Sequence, residues 1–342
     1  MRDKIYFIRQ KENPFGGAEN YLLRLTNELK KQNISYEIIH LKSPSFLASW
    51  LKAVLFNMQV CFRKRGFYFS LDRITCPDIY RAGDGVHKIF LQTKKRKFNP
   101  LNFVYLYLEK KTFTEAKIII ANSKMVKKQI TDSYKIDPKK IKVIYNGIEI
   151  ENFDEKSSHE KINKEFNLDP EKKVILFVGS GFERKGVKEF LLILSKLKSD
   201  FYAFIIGKDK NLNYYKDFAK KLNLSDHIFF TGAREDVKDF YIRSDIFLFP
   251  PKYEPFSNVV LEAMSYKNAV ITTEQNGASE ILEKLFVMKN PNDFTIIDTV
   301  KKLLTDEKYL QKIKEKNYKL VQNFTIEKNA KETLEVIKDW IK

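Results

Sequence analysis

Two carboxylates, Glu254 and Glu262, stand with seven residues between them in Pro250-Pro-Lys-Tyr-Glu-Pro-Phe-Ser-Asn-Val-Val-Leu-Glu-Ala-Met264. An ionised carboxylate only accepts hydrogen bonds and can take two from vicinal hydroxyls, so a pair at this spacing could hold two different polyols. Ser257 is placed to cap the helix that follows, and the amides after it, with Phe256, Asn258 and Val259, could contact a sugar or a phosphate. A capping-side Glu and a solvated helix Glu would give the same letters, but Glu262 lies between Leu261, Ala263 and Met264 in an otherwise apolar stretch.

A second constellation is Phe177-Val-Gly-Ser-Gly-Phe-Glu-Arg-Lys-Gly186. It follows an apolar run and opens a helical one. Gly179 and Gly181 allow close backbone approach, and Arg184 and Lys185 add two cations where a helix N-terminus already favours anions. That chemistry suits a diphosphate. The loop is not a P-loop, because Gly186 follows the Lys, and not a dinucleotide fingerprint, because Arg184 stands where the third Gly belongs. An ordinary strand-to-helix turn with solvated charges reads the same way.

These loops need elements to position them. Apolar runs at Lys4–Ile8, Tyr36–Leu41, Phe67–Leu71, Lys117–Ala121 and Ile141–Tyr145 alternate with helical spacing at Tyr21–Leu29, Leu47–Phe62 and Ser123–Tyr134. A polar stretch over 149–166 lacks an apolar period and reads as a linker. Beyond it strands are expected at Val174–Val178, Tyr202–Ile206, Ile228–Phe230, Ile246–Phe249, Ala269–Thr272 and Phe286–Met288. Helices fall between them, and an amphipathic helix closes the chain at Ile326–Ile341. Alternation of this kind predicts an α/β fold with open parallel sheets, whose ligands bind at the carboxyl ends of the strands. The expected domains are residues 1–160 and 165–326, with the last helix, 327–342, packing back on the first.

The 342 residues suit two domains, and 43% hydrophobic content excludes a disordered chain. The net charge is +18, and residues 1–150 hold 29 Lys and Arg against 13 Asp and Glu. A basic first half implies an anionic partner. Two clusters stand out there. Lys94, Lys95, Arg96 and Lys97 precede Phe98, Phe103, Tyr105 and Tyr107, and Arg63, Lys64 and Arg65 end the Leu47–Phe62 stretch. Both read as an acceptor or membrane surface, although Leu47–Phe62 itself reads first as a core helix. The two cysteines, Cys61 and Cys76, fit a reducing compartment. The sequence shows no signal peptide and no run long enough to span a bilayer, so a cytoplasmic protein is expected, with peripheral contact to the inner membrane face. No nucleic-acid-binding signature is found, so no nucleic acid partner is expected despite the charge.

The Glu254–Glu262 segment resembles the paired-Glu motif of glycosyltransferase family 4. Gly179–Gly186 resembles that family's diphosphate loop, Gly16-Gly17-Ala-Glu its N-terminal glycine loop, and Tyr145-Asn-Gly-Ile148 the segment closing its first domain. Thr231–Val237, with Arg234, resembles the loop near its donor base. A finer likeness, through Cys76–His87 and Phe177–Val187, is to the lipopolysaccharide-core glucosyltransferases. The resemblance implies the GT-B fold, two facing Rossmann-like domains with an interdomain cleft. It implies retaining transfer of a hexose, glucose from UDP-glucose, to a lipid-linked heptose without a metal or other cofactor. No Asp-x-Asp pair is present. It further implies that Glu254 holds the sugar, Glu262 the ribose, and Arg184 and Lys185 the leaving diphosphate, while Gly16 and Gly17 approach the phosphates. Asp84, before Gly85, is a candidate sugar contact or a plain turn residue; His87 is more readily structural. Another nucleotide-sugar or polysaccharide acceptor, or a relative that epimerises or hydrolyses nucleotide-sugars, stays open.

Overall fold

Most of the short apolar runs become strands buried on both faces, and the stretches with one polar face become the helices covering them. A computed structural model describes residues 4–10, 17–41, 46–94, 98–198 and 200–339. The chain divides into two compact units, Met1–Asn146 with Ile326–Lys342, and Gly147–Thr325.

The first unit runs β1 (Ile5–Ile8), α1 (Gly17–Lys31), β2 (Tyr36–Ile39), α2 (Ser49–Cys61), β3 (Phe67–Ser70), β4 (Ile79–Ala82), α3 (His87–Phe90), α4 (Pro100–Glu115), β5 (Ile118–Ala121), α5 (Lys124–Tyr134) and β6 (Ile141–Val143). Its sheet is parallel in the order β2-β1-β3-β4-β5-β6. The second unit runs α6 (Glu155–Phe166), β7 (Lys173–Val178), α7 (Phe182–Lys185), α8 (Val187–Leu194), β8 (Phe201–Ile206), α9 (Leu212–Lys221), β9 (Ile228–Gly232), α10 (Val237–Arg243), β10 (Ile246–Phe249), α11 (Asn258–Ser265), β11 (Ala269–Thr273), β12 (Val287–Met288), α12 (Ile296–Thr305) and α13 (Glu307–Val321). Its sheet is also parallel, in the order β12-β11-β10-β7-β8-β9. The last helix, α14 (Ile326–Lys338), returns to the first unit. There Leu334 and Ile337 join the core of Phe7, Leu22, Leu25 and Phe69, and the Tyr21 and Thr333 hydroxyls lie 3.1 Å apart.

In each sheet strand addition reverses direction once, between β1 and β3 in the first unit and between β7 and β10 in the second. At such a point two loops diverge from adjacent strand ends and leave a crevice, the favoured ligand site of an open α/β sheet. Gly179–Gly186 leaves β7 and Pro250–Glu254 leaves β10. The reversal in the second unit therefore falls at the two loops in which the sequence places its candidate site residues.

Several expectations change. The linker over 149–166 is largely helix α6, capped by the Asp154 carboxylate accepting the Ser157 amide N–H at 3.2 Å. It packs with only Ser158 and Ile162 fully buried, too sparse an apolar stripe to read. The units accordingly divide at Asn146–Gly147, before that stretch rather than across 160–165. Cys61 and Cys76 are joined as a disulfide across a Cα separation of 5.7 Å, so they are not the free thiols that a reducing compartment implied. Helix α2 buries Ala53, Phe56 and Val60 but exposes Leu55 and Met58, as well as Phe62 at its C-cap, so it is only half a core helix. Among the described residues no helix is long and apolar enough to cross a membrane.

Candidate functional site

At the β7–β10 reversal the structure brings three charged side chains together. Arg184 Nη1 donates to Glu254 Oε2 at 2.6 Å and to the Tyr253 carbonyl at 3.0 Å. Lys185 Nζ donates to the same Glu254 oxygen. The Glu254 side chain is 15% exposed. Burial alone would push its carboxyl up, but Lys185 and Arg184 outweigh it and hold the group below the ordinary Glu value. The Lys185 ammonium is itself lowered, by burial first, with Arg184 adding to the effect. Two cations thus share one carboxylate, leaving a net positive charge at the strand ends.

The local folding explains the convergence. Gly186 has φ +86°, and a side-chain carbon there would fall 1.9 Å from the Pro250 carbonyl oxygen. Only glycine lets α7 and α8 close against the end of β10 in this way. The Arg184 carbonyl then accepts the Lys252 amide N–H at 2.9 Å, and Lys252 Nζ pairs with the buried Glu189 of α8 at 3.2 Å. On its other side the segment is tied down by Glu254 N–H to Gln275 O and by Gly277 N–H to Glu254 O, each 2.9 Å.

The expected helix-terminus anion cradle is differently made. Helix α7 has four residues. The Gly179 and Gly181 amides donate to the carbonyls of Ile206 and Lys208 at 2.8 and 3.1 Å, and the Phe182 amide to Asp209 Oδ2 at 2.7 Å. These three backbone donors are already used, so at this loop the Arg184 and Lys185 side chains are the cations placed to meet an anion. Gly181 has φ +78° with open space around the position of a side-chain carbon.

Helix α11 carries Asn258, Val259 and Glu262. Ser257 occupies its N-cap without a side-chain capping bond. Instead buried Asn276 Oδ1 accepts the amides of Ser257 and Ala278, at 3.2 and 3.1 Å, a role with no signal in the sequence. Phe256 is buried. Glu262 is half-buried and accepts the Tyr241 hydroxyl at 3.1 Å. The Tyr241 phenol is pushed far up, by burial and then by Glu262, so it stays a donor. Arg234 lies in the loop between β9 and α10. Its guanidinium is forked onto Glu165 and Asp236 through four bonds of 2.7–2.9 Å and stacks over Phe240.

In the first unit Asp84 is exposed in the turn after β4, where Gly85 takes φ +70°. Behind it lies a carboxylate that sequence reasoning missed. Glu109, fully buried, accepts Arg73 Nε at 3.1 Å, the amides of His87 and Lys88 at 2.6 and 3.1 Å, and the Tyr134 hydroxyl at 2.6 Å. Nothing in the run Leu-Glu-Lys-Lys distinguishes it from a solvated Glu. His87 is buried, with Nε2 3.2 Å from Asn102 Oδ1. At the β1–β3 reversal Arg9 bridges Glu19 and Asp72, at 2.8 and 3.2 Å. Gly17 is the first residue of α1, and Gly16 lies outside the described residues. So do Lys95, Arg96 and Lys97; Lys94 is exposed, its ammonium 5.0 Å from the Phe90 ring centre.

Comparison with known proteins gives two family models on this chain, "Glycosyl transferases group 1" over residues 158–320 and "Glycosyltransferase Family 4" over residues 80–152. A curated relative is the N-acetylgalactosamine-N,N'-diacetylbacillosaminyl-diphospho-undecaprenol 4-alpha-N-acetylgalactosaminyltransferase of Campylobacter jejuni. It is 26% identical over 71% of this chain and 65% of its own length, so this chain spans less than two thirds of that relative. Among solved structures, WaaG, a glycosyltransferase involved in lipopolysaccharide biosynthesis, superposes with TM-score 0.81 at 18% identity, covering 97% of this chain and 99% of its own. Anabaena Alr3699/HepE, in complex with UDP-glucose, gives 0.72 at 18% identity over 98% and 100%. At these identities the structural likeness establishes the fold.

Proposed function

We propose that this chain, which has the GT-B fold and matches two glycosyltransferase family models, is a family 4 glycosyltransferase that moves a hexose from a nucleotide diphosphate-sugar to a lipid-linked saccharide. The donor proposed first is UDP-glucose, and the acceptor an inner-core heptose of lipopolysaccharide, with retention of anomeric configuration and no metal. The observation that carries this reading is Glu254 pinned between Arg184 and Lys185 at the strand reversal of the second unit. As the bond between the sugar and the diphosphate breaks, negative charge grows on the departing oxygen. Arg184 and Lys185 stabilise it there, with Lys185 largely desolvated and so acting at low dielectric. Glu254, facing the same cations, accepts sugar hydroxyls, and Glu262 accepts those of the ribose. Asp84 is the proposed sugar contact from the first unit.

The Campylobacter relative's name favours a second reading within the family, an N-acetylhexosamine donor and an undecaprenyl diphosphate-linked acceptor. For either acceptor, Lys94 and the exposed Trp50, Met58, Phe62, Phe98 and Phe103 of the first unit are the proposed contacts with anionic membrane.

Calorimetric titration with UDP tests the ribose assignment. Glu262→Ala is expected to weaken UDP binding about tenfold or more, through two lost hydroxyl bonds. An affinity within about twofold of wild type would remove Glu262 from the site.

A further inference from the structure

The basic run Arg63-Lys64-Arg65 does not form one surface. Lys64 turns to Asp78 at 2.7 Å, which also takes Lys117 at 3.0 Å. Arg63 and Arg65 instead line a cavity of about 390 Å³ in the first unit, together with Glu37 and Ile39 of edge strand β2 and Gln59 of α2. The other polar groups there are already engaged. Glu37 is bound by Lys4 at 2.6 Å, and Gln59 Nε2 donates to the His40 carbonyl at 3.2 Å. Among the described residues neither arginine lies at ion-pair distance from a carboxylate, although Arg65, after Lys4, helps to hold the Glu37 carboxyl below its ordinary value.

The backbone carrying the two arginines is fixed in advance. The hydroxyl of Tyr68, a residue 1% exposed, accepts the Arg65 amide N–H at 3.2 Å and donates toward the carbonyls of Val60 and Arg63, at 3.3 and 3.4 Å. The end of α2 is held further by the Cys61–Cys76 disulfide and by Asn57 Oδ1 accepting the Thr75 amide at 2.7 Å. Two guanidinium forks on a rigid turn offer more donors than one carboxylate can accept, whereas a phosphate group presents three acceptor oxygens and up to two charges.

We infer that this cavity is a binding site for a phosphate group, carried either by a phosphorylated saccharide or by a lipid headgroup. It narrows the acceptor-or-membrane assignment of this run to Arg63 and Arg65, and it does not rest on the nucleotide-sugar reading. Phe62 and Met58, 87% and 60% exposed beside it, would lie against acyl chains if the source is a lipid.

The test uses the full chain saturated with UDP, so that any anion site at Arg184 and Lys185 is filled. Glucose 6-phosphate is titrated calorimetrically, and co-sedimentation is measured with vesicles of phosphatidylcholine alone or mixed with phosphatidylglycerol. Arg63→Gln combined with Arg65→Gln is expected to weaken whichever binding is seen by about tenfold or more, and the double Lys variant by less, since charge remains without the fork. Tyr68→Phe is expected to weaken it several-fold by loosening the turn. Binding of the sugar phosphate identifies a saccharide source, and binding of anionic vesicles alone a lipid headgroup. Binding of neither probe, or equal binding by wild type and the double Gln variant, overturns the proposal. Far-ultraviolet circular dichroism of each variant serves as the folding control; a wild type that does not bind UDP would count against the donor reading alone and leave this test in place.

Discussion

Glu254→Ala is expected to lower turnover by about 10²- to 10³-fold while leaving the affinity for UDP unchanged or higher. The asymmetry follows from the charges. In the wild type one carboxylate is shared by Arg184 and Lys185. Its removal frees both cations for the diphosphate, so the nucleotide loses nothing, whereas the sugar loses the acceptor proposed to orient it. The loop itself keeps its shape, because Glu254 is tied through its backbone to Gln275 and Gly277 and Arg184 retains the Tyr253 carbonyl. Steady-state turnover with a UDP-sugar, set beside a calorimetric dissociation constant for UDP, separates the two effects. Parallel loss of both would make Glu254 a scaffold for the cations, and near-normal turnover would take it out of the chemistry.

The largest effect on stability is expected at Glu109. Glu109→Ala leaves the Arg73 guanidinium, 9% exposed, without its counter-ion, and removes the acceptor of two amides and of the half-buried Tyr134 phenol. Breaking a buried pair in this way costs about 3–5 kcal/mol. Burial disfavours the Arg73 charge, and in the wild type Tyr80, Glu109 and Asp84 outweigh it; an arginine does not deprotonate in a protein, so the variant holds a buried charge that has lost its Glu109 partner. Glu109→Gln, which keeps an acceptor and loses the charge, is expected to fall between. Urea unfolding followed by circular dichroism measures the difference, and a loss under about 1 kcal/mol would place the pair among weak surface bridges. Because Glu109 also binds the first amides of α3, the Ala variant is expected to loosen the turn bearing Asp84.

What the sequence disclosed and what it concealed divide along physical lines. Strands β7, β8, β10 and β11 are near-continuous apolar runs, buried on both faces, and such runs are legible. Strand β4 was not, because Arg81 interrupts its four residues; the guanidinium is buried over the Tyr21 ring at 3.8 Å and donates to Asn146 Oδ1 at 2.8 Å. Helix α13 hides its period behind Asn317, whose buried amide donates to the Asn268 carbonyl at 2.9 Å. Residue types and spacing singled out Arg184, Lys185 and Glu254, which the structure brings together, and Glu262, which accepts the Tyr241 hydroxyl. Whether the Gly179 and Gly181 amides are free depends on which carbonyls β8 brings alongside. That is tertiary information, as are the forking of Arg234 onto Glu165 and Asp236 and the separation of Lys64 from its neighbouring arginines.

The central claim is that the second unit holds a nucleotide diphosphate-sugar through side-chain cations and two carboxylates. A thermal-shift screen of the purified protein against UDP, GDP, ADP and their hexose conjugates, with EDTA present, tests it most directly, because a ligand that binds only the folded state raises its apparent stability. The expected result is a rise with UDP and UDP-glucose that EDTA does not diminish and that Glu262→Ala reduces. Absence of a shift with every nucleotide would contradict the claim.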